Sequence, residues 1–60
     1  MKKFMVVCSA DGESWADFYD KAGDADNARM NCVCGLGGVA EVYERVEDPV
    51  CGPEYRFSWS

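Results

Sequence analysis

Four cysteines, Cys8, Cys32, Cys34 and Cys51, are the first candidates for chemistry in this 60-residue chain. Only Cys32 and Cys34 lie close together, in the stretch "MNCVCGLGG" from Met30 to Gly38. Structural zinc sites use pairs spaced Cys-x2–4-Cys, and this pair is Cys-x-Cys. On a helix, side chains at i and i+2 point about 200° apart, so the two thiols cannot grip one ion there. The chain holds no histidine to complete a mixed site. A metal-binding module built on Cys8, Cys32, Cys34 and Cys51 is therefore the alternative reading, and no cofactor is expected.

The same pair is poorly placed for catalysis. A reactive thiolate needs a helix N-terminus, a nearby cation or a base. Cys32 and Cys34 fall at the C-terminal end of the expected helix, where the dipole disfavours an anion. A thioredoxin-like motif needs CxxC. Disulfides are the remaining use, with three pairings open to four cysteines.

The carboxylates are next. Asp24 and Asp26 begin a D-x-D pattern that suggests a calcium loop. The loop glycine would fall on Arg29 and the bidentate glutamate on Gly35, so the match fails. Glu41 and Glu44 read as a solvated strand face. The glycines of "GLGG" follow a helix, whereas phosphate cradles precede one.

What stands out is charge. Asp11, Glu13, Asp17, Asp20, Asp24 and Asp26 lie within one quarter of the chain, with Lys21 as the only base among them. Acids and bases cancel elsewhere, so the whole net charge of −5 sits in that stretch. Direct nucleic-acid or anionic-membrane binding needs basic patches and is not expected. A basic surface on a larger protein is the partner this stretch suits. Trp15 and Tyr19 lie inside it as candidate anchors. The candidate partner-binding set is Asp11, Glu13, Trp15, Asp17, Tyr19, Asp20, Asp24 and Asp26. Phage-encoded inhibitors that occupy nucleic-acid-binding surfaces, anti-CRISPR proteins among them, include small acidic proteins of this size. That comparison rests on size and charge, and no motif supports it. An enzyme is not expected, because so short a chain leaves little room for a pocket of roughly 300–1,000 Å³ beside a core.

These residues need elements to position them. Lys2 to Ser9 reads as a central strand, with Phe4, Val6 and Cys8 on one face and Met5 and Val7 on the other. Asp11-Gly12 signals a hairpin. Ser14 to Asp20 has helical spacing at Trp15, Phe18 and Tyr19 but strand-like composition, and the strand is preferred. Asp24 to Cys34 is the expected helix, with Asp24 as its N-cap. Ala25, Ala28, Cys32 and Leu36 form its narrow buried face. Gly35 is expected at the left-handed closing position, with Leu36 folded back on Met30. Val39 to Glu47 and Glu54 to Ser60 read as a hairpin. Tyr55, Phe57 and Trp59 share one face there and should supply core beneath the helix.

The expected fold is one small α+β domain over 1–60. It is ordered β-β-α-β-β, with three or four antiparallel strands and one helix on one face. The final strand, Tyr55 to Trp59, offers an edge for a homodimer. The longest apolar run, Phe4 to Cys8, is too short to span a membrane. The lysines and short apolar run at the start are followed at once by Asp11, Gly12 and Glu13, so they do not read as a signal peptide. Val7 also stands where a lipoprotein signal would have a small residue. A cytoplasmic location with reduced thiols is the expectation.

Overall fold

The computed structural model describes residues 2–60. It shows the expected α+β order: β1 (Phe4–Ala10), β2 (Glu13–Tyr19), α1 (Ala22–Met30), β3 (Val39–Asp48) and β4 (Gly52–Trp59). The four strands form one antiparallel sheet in the order β2-β1-β3-β4. β1 is central, which explains apolar side chains on both its faces. The ambiguous Ser14–Asp20 segment is a strand. Asp11 and Gly12 both have positive φ, 53° and 78°, the two-residue turn that matches the twist of paired strands.

α1 lies on one face of the sheet, over β1 and β3 more than over β2. Ala25 is fully buried and packs with Phe4, Val6 and Val42; Ala28, Tyr19 and Trp59 border this cluster. Small residues on the helix let it approach the sheet closely. A second cluster joins Cys8, Cys32 and Ala40. Here the reduced-thiol expectation is corrected: Cys8 and Cys32 form a disulfide between β1 and the end of the helical segment. Their Cα atoms are 6.1 Å apart. Alternation on β1 and the small-residue face of the helix point both side chains into one layer.

The helix boundaries differ from expectation. Lys21 keeps extended backbone, and Ala25 N–H donates to the Lys21 carbonyl at 3.1 Å. Asp24 is thus inside the first turn rather than at the cap, with its charge still near the unpaired amides. Asp26 bonds Arg29 Nε at 3.1 Å and accepts from Trp59 Nε1 at 3.4 Å. Beyond Met30 the chain widens into a π turn, Asn31–Gly35. The wider turn moves the closing residue: Gly37, at φ 69°, is left-handed, not Gly35. Leu36 therefore leaves the buried face and is 55% exposed. Gly38 N–H donates to the Cys32 carbonyl at 3.1 Å. A Cβ on Gly38 would collide with the Ser9 carbonyl and sit 2.8 Å from Ala10 Cβ, so the start of β3 passes β1 only with glycine there.

The aromatic stripe of β4 is also corrected. Val42 pairs with Trp59, but Tyr43 pairs with Phe57, leaving Ser58 as an extra residue. This bulge turns the strand over between Phe57 and Trp59. Trp59 meets Phe4 edge-on beneath the helix, with ring centroids 6.0 Å apart. Tyr55 and Phe57 lie on the opposite, uncovered face, against Phe18 and Tyr43 respectively. The β3–β4 turn is held by Asp48, whose Oδ1 accepts from Val50 N–H at 2.7 Å and Cys51 N–H at 2.9 Å. These bonds, with Arg56 beside them, hold the Asp48 carboxyl below its usual range.

Candidate functional site

β2 is an edge strand, and its alternation decides what it presents. The register with β1 sets Glu13, Trp15, Asp17 and Tyr19 opposite Ala10, Cys8, Val6 and Phe4. Phe4, Val6 and Cys8 face the helix, so these four residues of β2 share that face. Because α1 sits toward β3, it leaves a gap over β2. The gap is an open groove of about 420 Å³. Its β2 wall is Trp15, Asp17 and Tyr19, and its floor is Val6 with the Cys8–Cys32 disulfide. The helical wall is Ala28, Asn31, Gly35 and Leu36. The expectation that so short a chain has little room for a pocket concerns an enclosed cavity; edge placement and an offset helix leave instead a groove open to solvent.

A shallower depression adjoins it around Tyr19, Asp24, Asn27, Ala28 and Asn31. Tyr19 is shared by both. Its hydroxyl is pushed above its ordinary value, first by burial and then by the charges of Asp17 and Asp24. Those two carboxylates thus act on one ring from the strand side and the helix side. No lysine or arginine lines either depression.

The eight candidate residues therefore divide. Trp15, Asp17 and Tyr19 line the groove, and Asp24 lines the depression beside it. Glu13 shares their face one step toward the hairpin, and Asp11 forms the turn itself. Asp20 instead pairs with Lys2 at 2.9 Å. Asp26 is held by Arg29 and Trp59 on the other side of the helix. Sequence reasoning missed the opposing wall of Ala28, Asn31 and Leu36. Helical spacing gave Ala28 and Leu36 to the buried face and left Asn31 unmarked, because a place in this wall depends on where the helix lies across the sheet.

The cysteines do not converge. Cys8 and Cys32 are bonded to each other, while Cys34 and Cys51 are exposed thiols. Among the described residues, no three His, Cys, Asp or Glu side chains are grouped to hold an ion. No described helix is long and apolar enough to cross a membrane.

The groove and the depression beside it offer two carboxylates, an indole, a phenol and amides. A cation fits that set: aromatic faces attract it through their quadrupole and carboxylates through charge. Compared with protein families, curated proteins and solved structures, the chain gives no match, so geometry alone carries the functional reading.

Proposed function

We propose that this chain is a small acidic interaction protein, not an enzyme, that binds a basic surface of a larger partner protein. It would act as an inhibitor or nucleic-acid mimic. The observation that carries the reading is that Trp15, Asp17 and Tyr19 in the groove wall and Asp24 in the depression that adjoins it at Tyr19 stand together with no basic residue in either lining. The aromatics supply rigid contact area, and the carboxylates supply sign selectivity. Cytoplasmic action is part of this proposal. The Cys8–Cys32 bond must then form or persist in that compartment, which thiol titration of protein taken from its host measures.

The test is a charge reversal chosen from the geometry. A partner is first recovered by pulldown from the native host or its competitor and identified by mass spectrometry. Affinity is then measured for Asp17→Lys with Asp24→Lys, and separately for Asp20→Lys. The double variant should lose most of its affinity, by at least about tenfold, since close charge pairs across interfaces couple by more than 1.4 kcal/mol. Asp20→Lys, which breaks only the pair with Lys2, should bind within about threefold of the parent because exposed pairs contribute little. Unchanged affinity in the double variant would discard the acidic groove as the binding site.

A further inference from the structure

The sheet has two edges, and they are not equivalent. β4 carries Pro53 near its start and the bulge at Ser58 near its end. Both features blunt an edge against pairing. β2 has neither. It is seven residues long, without proline or glycine, and stays in unbroken register with β1 from Ala10–Glu13 to Phe4–Tyr19.

Backbone direction on β2 follows from the turn. A two-residue turn at Asp11-Gly12 makes Ala10 and Glu13 a hydrogen-bonded pair. Antiparallel pairing alternates from there. Glu13, Trp15, Asp17 and Tyr19 turn their backbone groups toward β1. Ser14, Ala16 and Phe18 turn theirs outward, to the unpaired edge.

We infer that β2 is a strand-addition edge, which takes an extended segment of a partner protein in which basic residues alternate with apolar ones. The inference rests on the acidic-groove reading and adds its mode. Backbone pairing would be antiparallel and would use Ser14, Ala16 and Phe18. Residues of the added strand opposite them share their face, the one that bears Ala16 and Phe18, and are apolar. The alternate residues project over Glu13, Trp15, Asp17 and Tyr19, and are lysine or arginine. The same acids reject self-pairing, because two β2 edges would bring Glu13 and Asp17 of both copies onto one face. The dimer expected through Tyr55–Trp59 meets a different obstacle, the bulge within that edge.

The probe is the peptide acetyl-(Lys-Val)4-amide, titrated into the intact protein. Two modified forms carry N-methyl groups on every valine or on every lysine. Valine nitrogens face β2 in the proposed arrangement, so their methylation should weaken binding by about tenfold or more, while lysine methylation should leave it near the parent value. Bound parent peptide should slow hydrogen exchange at Ser14, Ala16 and Phe18. Ala16→Pro removes one outward donor at a position where an edge strand tolerates proline, and should weaken the parent peptide similarly with retained circular dichroism. Equal binding by the valine-methylated peptide overturns strand addition while leaving the acidic groove standing. Failure of every lysine peptide to bind overturns both.

Discussion

At the scale of single residues, the disulfide does what the apolar core alone does weakly. A chain of this length is only marginally stable, on the order of 3–9 kcal/mol. Cys8 and Cys32 are 24 residues apart, and closing a loop of that size restricts the unfolded chain by roughly 3–4 kcal/mol in the chain-entropy account. The bond also lies under the groove, between the strand that carries β2 and the π turn that forms the far wall. Replacing both cysteines with alanine should lower the melting temperature by roughly 10–25 °C. Thermal melts of the double variant check this, and mass spectrometry after alkylation should find only Cys34 and Cys51 modified in the parent. A melting point equal to the parent's would show that the bond contributes little.

At the scale of elements, the sequence pattern made most of the fold legible. β1 revealed itself by apolar residues on both faces, and Asp11-Gly12 by its turn chemistry. The hairpin of β3 and β4 followed from the alternation of Glu54 to Ser60 and from the β-branched and tyrosine content of Val39 to Glu47, whose spacing alone also suits a helix. Two features were not legible, and both insert or displace a residue. The π turn shifts the closing glycine from Gly35 to Gly37 without any change in composition to mark it. The bulge at Ser58 breaks an alternation that is perfect on paper and sends Phe57 to the far side of the sheet from Trp59. Of the candidate site, the acidic stretch was legible and its division was not. Asp20 and Asp26 look like their neighbours in sequence, and only the fold gives them Lys2, Arg29 and Trp59 as partners. The bulge has a measurable consequence. Trp59 packs on Phe4 and donates to Asp26, while Phe57 is 58% exposed. Trp59→Ala should cost about 2–3 kcal/mol, less than a fully buried ring. Phe57→Ala should cost about 1 kcal/mol or less, the worth of its edge contact with Tyr43. Urea denaturation of the two variants separates the cases, and equal losses would mean that both rings serve one core.

At the scale of the whole molecule, the placement of charge matters more than its total. The molecule measures 38 × 23 × 17 Å, and its entire net charge derives from Asp11 to Asp26. That stretch runs from the β1–β2 turn, along the edge strand and into the first half of α1, so one flank is acidic while the rest is balanced. The uncovered sheet face is different in kind: Phe18, Tyr43, Tyr55 and Phe57 meet there in two aromatic pairs beside balanced charges. An asymmetric field of this sort steers a basic partner toward the acidic flank before contact. Steering acts through solvent and is screened over about 10 Å at 0.1 M salt but only about 3 Å at 1 M. Contacts made after docking are screened much less. The association rate of acetyl-(Lys-Val)4-amide should therefore fall by about tenfold or more between those salt concentrations, while its dissociation rate changes little. Stopped-flow fluorescence measures both rates, with Trp15 in the groove wall as the reporter. An association rate indifferent to salt would mean that the acidic flank takes no part in encounter, and that the groove holds its ligand through the aromatic rings and the strand edge alone.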